Sequence, residues 1–280
     1  MKINLVDTNK GKVGYFNNHW PIKEVEYVGP FLEWEGITVF TDEMCFHPVV
    51  DQIKSKHKIA WSIESPVIKP YFYNYIKQVE NKFDYIYTYN PEPNNPKYKQ
   101  SYFGACWIVE ENCKIYEKTK LLSIVASNKN YAPGHKLRHE IISKNLHKDL
   151  ELWGSGYNWF SDAPEDRVKP FKDYMYVIVI ENCKYPNYFT DKIIDCFAAG
   201  CIPIYWGDPK IKEIFDERGF YTFNTMNELD YILSNRISAD DYNLKTKYIQ
   251  ENHRRMFEYA SPDKWMYNNC YKKLQEKGSL

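Results

Sequence analysis

Hydrophobic and polar positions change rhythm midway along the chain. In the first hundred or so residues the apolar positions form short runs rich in β-branched and aromatic side chains, at 2–6, 24–28, 36–41, 58–63 and 83–89. Each run predicts a strand. Between the last two, 70–81 has helical spacing with Pro70 in its first turn, where the missing N–H is tolerated. Strand, helix, strand in that order predicts a parallel pair. The stretch 90–100 holds three prolines and two adjacent asparagines, so it reads as a loop, and 107–109 is a candidate for a short strand.

Beyond about residue 120 strand and helix patterns alternate. Strands are expected at 121–127, 151–153, 174–180, 201–206 and 220–223, and helices at 134–148, 190–199, 209–217 and 227–233. Two terminal helices follow at 240–259 and 262–276, the second opened by Pro262. Such alternation predicts a doubly wound parallel sheet. The fold class is therefore α/β, with two Rossmann-like domains that meet across a central cleft and helices at the C-terminus. The expected division is 1–116 for a first α/β domain, 117–262 for a second, Rossmann-like one and 263–280 for a helix able to pack back on the first.

Composition narrows the function classes. With 44% hydrophobic and 26% charged residues the chain is a folded protein and not a disordered one. Lys plus Arg equals Asp plus Glu at 37 each, so no overall positive field draws the chain to nucleic acid. Seven cysteines, with no CxxC spacing, suit reduced and buried thiols in a cytoplasmic protein. Neither a signal-peptide pattern nor a run of about 18 apolar residues occurs, so secretion by that route and membrane spanning are not expected. The 25 tyrosines accompany many Lys, Asn and Ile, which AT-biased coding explains better than sugar-stacking surfaces do.

The stretch 176–207, YVIVIENCKYPNYFTDKIIDCFAAGCIPIYWG, concentrates the candidate chemistry. An apolar strand delivers Glu181 and Asn182 at its carboxyl end, and a loop leads to Thr190, an N-cap type, followed by Asp191 and Lys192. Backbone N–H groups and the dipole of a helix start favour an anion, and Lys192 adds a mobile charge suited to a pyrophosphate. Asp191 could accept hydrogen bonds from ribose hydroxyls. The same spacing also describes an ordinary capped helix with an exposed acid and base.

Here the sequence resembles the α-1,3-fucosyltransferases, inverting sugar-nucleotide-dependent glycosyltransferases of the GT-B fold. Their donor-site signature is matched by Glu181, Asn182, Tyr188, Thr190, Asp191, Lys192, Pro203, Ile204, Tyr205, Trp206 and Gly207. The resemblance implies that Lys192 meets the donor phosphates, that Asp191 holds the ribose, and that Asn182 and Tyr188 line the nucleotide-sugar pocket. Asp191 stands where the family has Glu, one methylene longer. Upstream, LLSIVASN (121–128) with Arg138 ten residues on resembles the family's strand, its Ser-Asn loop (Ser127, Asn128) and its phosphate-binding arginine. An arginine on an amphipathic helix is otherwise most often a solvated charge. In IAWSIESP (59–66) the Glu-Ser-Pro resembles the family's, which implies that Glu64 is the general base.

Other signals carry less. His135 and His139 have helical spacing for zinc, but Arg138 lies between them and no third ligand is nearby in sequence, so no metal site is expected. No Asp-x-Asp motif occurs, which leaves Arg138, Lys192 and the helix terminus to stabilise the leaving group. Gly154 and Gly156 read as a turn, and KSKHK (54–58) as a solvated face. The resemblance thus implies a metal-independent, inverting glycosyltransferase without a cofactor, taking GDP-fucose or a related donor to a glycan hydroxyl. The alternative is a phage-type enzyme that glycosylates a hydroxymethylated base in modified DNA with a different donor. Residues 1–57 match nothing, and oligomeric state is not predicted.

Overall fold

A computed structural model describes residues 1–8, 16–17, 19–161 and 163–276. The chain divides into two compact units, one running to Phe103 and taking up the chain again from Ser261, the other Gly104–Ala260.

Among the described residues six strands build the first unit: β1 (Lys2–Val6), β2 (Glu26–Val28), β3 (Glu33–Thr41), β4 (Lys54–Trp61), β5 (Tyr85–Thr88) and β6 (Tyr98–Gln100). They form one all-parallel sheet in the order β2-β1-β3-β4-β5-β6. Alternation along the strands feeds two apolar layers. Ile37, Val39, Ile59 and Trp61 join one, while Phe40, Ala60 and Ile86 join the other with Phe72 and Ile76 of the Pro70–Val79 helix. Each fully buried aliphatic or aromatic side chain of this kind contributes about 1.5–3 kcal/mol. Met266, Cys270, Tyr271 and Leu274 complete the first layer, so the segment 266–274 belongs to this unit's core. There the Asp263 carboxylate accepts the Phe16 and Asn17 N–H groups at 3.2 Å each, and the Tyr27 and Tyr271 hydroxyls lie 3.1 Å apart.

The second unit holds β7 (Lys120–Val125), β8 (Leu150–Trp153), β9 (Tyr174–Ile180), β10 (Ile202–Trp206) and β11 (Tyr221–Thr222). These are also all parallel, in the order β11-β10-β9-β7-β8, which places β9 in the middle. Helices Pro133–Lys144, Asp191–Ala198, Met226–Asn235 and Thr246–Met256 accompany them. Leu122, Ile124, Tyr176, Ile178, Ile180, Ile202 and Ile204 form the strand side of the core, with Ile141 and Leu229 from the helices.

The differences from the sequence expectations have local causes. β3 begins at Glu33 because the register shifts between Trp34 and Ile37, around Gly36, which makes a bulge and not a start. The KSKHK run is the outer half of β4, with Lys54 on Glu33 at 2.9 Å. β6 lies where a loop was expected; Tyr98 is buried and donates to Glu80 at 2.7 Å. The helix expected to reach 148 stops at Lys144, since Asn145 takes a left-handed φ of 46°. The expected 240–259 helix divides at Lys245, where the Thr246 hydroxyl bonds back to the Asn243 carbonyl. A wide turn at Tyr267–Tyr271 interrupts the last helix, and 107–109 forms no strand. Among the described residues no helix is long and apolar enough to cross a membrane, and no disulfide joins the cysteines.

A buried acid fastens the strap before β7. Asp195 Oδ1 accepts the Trp107 and Ile108 N–H groups at 2.7 and 3.3 Å and the Cys106 thiol at 3.2 Å. Burial, then the charge of Asp191, pushes its carboxyl up to about 7, against the pull of those donors. The folded state therefore holds a proton that the unfolded chain has released between pH ~4 and ~7, so this group's contribution to stability falls as pH rises through that window. Asp195→Asn keeps the accepting oxygen and is expected to remove that slope. Asp195→Ala, which removes the acceptor of two buried amides, should cost about 2–5 kcal/mol. Thermal unfolding of both variants from pH 5 to 8 checks this.

Candidate active site

The site grows from the carboxyl end of β9. Glu181, the next residue, is fully buried, and its Oε1 accepts the Thr190 N–H at 2.9 Å while Oε2 accepts the Thr190 hydroxyl at 2.8 Å. The Lys192 ammonium donates to the same hydroxyl at 2.8 Å and lies 3.5 Å from Oε2 and 3.7 Å from Asp191. Burial pushes the Glu181 carboxyl up and Lys192 draws it back, with Asp191 opposing and Thr190 assisting. Thr190 does occupy the N-cap position of the Asp191–Ala198 helix, but its hydroxyl is engaged with Glu181 and Lys192 and caps nothing.

Arg138 comes to the same place from the Pro133–Lys144 helix. It is buried, and one guanidinium nitrogen donates to the Ile180 carbonyl, so the charge is fixed and not solvated. Burial disfavours that charge; Glu181, Asp191 and Tyr188 work against the loss. The helix can approach because Gly134 has no side chain: a Cβ there would lie 1.7 Å from the Glu181 carbonyl oxygen. Gly207 is similarly required, its absent Cβ falling 2.6 Å from Glu181 Cγ.

These elements surround a cavity of about 290 Å³ lined by Ser127, Arg138, Asp191 and Lys192. Gly154, Ser155, Trp159, Phe160 and Arg167 form the rest of its polar and aromatic wall. Arg167 stacks over Phe160 and Trp107 at 5.8 and 5.1 Å from the ring centres. A smaller cavity of about 70 Å³ shares Arg167, Asp191 and Lys192 and reaches Asp195. Three cations and one carboxylate facing one space suit an anionic ligand that also carries hydroxyls.

The residues singled out from the sequence divide accordingly. Ser127, Arg138, Asp191 and Lys192 meet at the cavity; Glu181 and Thr190 stand behind Lys192 as its support. Asn182 is half-buried and its carbonyl accepts the Gly134 N–H at 3.0 Å, while Tyr188 is fully buried. Asn128 is exposed beside the Gly156 turn. Glu64 belongs to the other unit, half-buried just past the end of β4. Arg167, Trp159 and Phe160 had no signal in the sequence, whereas Asp195, an acid on the apolar face of a helix, had one. His135 Nδ1 accepts the Ala132 N–H and His139 Nε2 pairs with the Lys129 carbonyl, so both rings are engaged locally.

Residues 115–275 match the model of the glycosyltransferase family 10 (fucosyltransferase) C-terminal region. The chain belongs to glycosyltransferase family 10. Among relatives of this family 10 member, the α-(1,3)-fucosyltransferase FucT of Helicobacter pylori is 28% identical over 139 residues, 48% of this chain and 28% of that protein. A putative fucosyltransferase, R654, of Acanthamoeba polyphaga mimivirus is 38% identical over 66 residues, 23% of this chain and 11% of that one. The chain therefore spans well under two thirds of either relative. A solved structure of an α1,3-fucosyltransferase with GDP aligns over 92% of this chain and 88% of its own, with a TM-score of 0.56 and 16% identity. That likeness is one of fold: the two parallel-sheet α/β domains of this family 10 protein are of the GT-B type.

Since Glu181 is a buried charge paired within the site, Glu181→Ala is expected to cost about 3–5 kcal/mol, and Glu181→Gln less, as it keeps an acceptor for the Thr190 amide. Denaturant unfolding of the two variants reads the difference.

Proposed function

We propose that this family 10 protein transfers a sugar, fucose or a close relative, from a GDP-linked donor to a hydroxyl of a glycan, with inversion and without a metal ion. The observation that carries the reading is the convergence of Arg138, Lys192, Asp191 and Ser127 on one cavity at the carboxyl ends of β7 and β9. Ligands of open parallel sheets bind at that end. In this reading the guanidinium of Arg138 and the ammonium of Lys192 take the diphosphate, helped by the first-turn amides of the Asp191–Ala198 helix. Asp191 accepts hydrogen bonds from the ribose hydroxyls, and Asn182 and Tyr188 shape the donor pocket. The chain needs no cofactor beyond the donor itself.

The transfer is a single displacement. Glu64 takes the proton of the acceptor hydroxyl as its oxygen bonds to the anomeric carbon from the face opposite the diphosphate. The bond from that carbon to the diphosphate oxygen breaks, and GDP departs with the added charge held by Arg138 and Lys192. Pre-positioned cations supply in this site what a bound divalent ion supplies elsewhere, since Arg138 is anchored on a carbonyl and Lys192 on Thr190.

Calorimetric titration with GDP, UDP, CMP and ADP in the presence of EDTA is expected to show selective binding of GDP. Selectivity for another nucleotide would overturn the donor assignment. Lys192→Ala should weaken GDP binding about 10- to 100-fold, the loss of one charge-assisted contact. Glu64→Gln should lower transfer by at least about 100-fold while GDP affinity stays within twofold. Turnover of that variant at the rate of the parent would remove Glu64 from the mechanism.

A further inference from the structure

The turn that carries Glu64 is held from three sides. Asp42, directly after β3, is buried at 7% exposure, and its Oδ1 accepts the Ile63 N–H at 2.9 Å and the Glu64 N–H at 3.3 Å. Tyr89, just past β5, donates to the Ile63 carbonyl, and Tyr73 of the Pro70–Val79 helix donates to the Glu64 carbonyl at 2.6 Å. Four hydrogen bonds thus act on the backbone groups of two consecutive residues, Ile63 and Glu64, past the end of β4. The Asp42 backbone has a φ of +41°, a left-handed conformation that an L residue adopts at a cost and that asparagine or glycine tolerates better.

The carboxylate is also placed at electrostatic expense. Burial is the main influence pushing the Asp42 carboxyl up to about 7, and the charge of Glu64 adds to it; the two amides and Lys69 pull the other way. Lys69 is itself paired with Glu43. A hydroxyl or amide side chain could hold two amides without this repulsion, but a carboxylate accepts them more strongly.

We propose that Asp42 is a positioning residue for Glu64: its carboxylate clamps the backbone of the Ile63–Glu64 turn and so sets where the Glu64 carboxylate points. The inference rests on Glu64 being the general base. Misplacement of a reacting group by about 1 Å can cost on the order of 100-fold in rate, so removal of the clamp should appear in kcat. The donor is bound by residues of the other unit, so its affinity should not move.

The test measures GDP release from GDP-fucose by the full chain, with water as the acceptor where no glycan is taken, together with GDP affinity by calorimetry. Asp42→Ala is expected to lower kcat about 100-fold with GDP affinity and the KM for GDP-fucose within twofold. Asp42→Asn, which keeps the accepting oxygen and suits a positive φ, should recover kcat to within about fivefold of the parent. Tyr73→Phe, which removes only the hydroxyl and keeps the ring, should lower kcat several-fold and serves if the alanine variant does not fold. The clamp is overturned if Asp42→Ala or Tyr73→Phe turns over at the parent rate, or if Asp42→Asn is as slow as Asp42→Ala. Parent-like turnover by Glu64→Gln would remove the general base and the clamp together; an inactive Glu64→Gln beside an active Asp42→Ala would remove the clamp alone.

Discussion

The buried carboxylate of Glu181 organises the second unit's site. A charge without solvent is costly unless opposed and hydrogen-bonded, and Glu181 meets both demands with one neighbouring tripeptide: the amide and hydroxyl of Thr190 and the ammonium of Lys192. Because the Thr190 hydroxyl is committed to Glu181, it does not cap its own helix. Because Lys192 is drawn to Glu181 and Thr190, its charge stands at the cavity and does not wander into solvent. Two glycines follow from the same crowding, Gly134 beneath the Glu181 carbonyl and Gly207 beside its Cγ.

The second consequence concerns charge. A chain with no net charge still gathers Arg138, Arg167 and Lys192 around one space, and the field that a ligand meets there is local. Arg138 is held in place, because its bond to the Ile180 carbonyl has already spent the side chain's conformational freedom. Asp195, one turn along the helix from Asp191, ties the 106–108 strap to the same helix, so the wall of the smaller cavity and the start of the helix share one support.

The two units apply one device twice. In each, a glutamate follows the buried carboxyl end of an inner strand of the sheet, Glu64 three residues after β4 and Glu181 directly after β9. Parallel sheets covered on both sides leave only those ends open for polar chemistry. The two glutamates differ in what surrounds them. Glu181 is enclosed and supports a cation, while Glu64 is half-buried on a turn that neighbouring side chains hold by its backbone.

Much of this was legible along the chain, because the forces that make it are local. A short continuous apolar run rich in β-branched and aromatic residues, such as 174–180, suits a strand of a doubly covered sheet, and alternation of such runs with helical spacing implies parallel order. Glu181, Thr190 and Lys192 are close in sequence, so their meeting needs only one loop. What lay beyond reach depends on partners far away in the chain. Arg138, singled out along the chain only by the resemblance and otherwise reading as a solvated charge, is held by the Ile180 carbonyl, 42 residues on. Asp195 finds amides 87 and 88 residues away, and Asp42 finds the Glu64 turn 21 and 22 residues away. The aromatic wall of Trp159 and Phe160, the edge strand β6 and the bulge at Gly36 are likewise products of packing. Local pattern specifies which segments must hide their apolar faces; the folded sheet specifies which polar groups those faces bring together, because only closure of the layers removes water from between them.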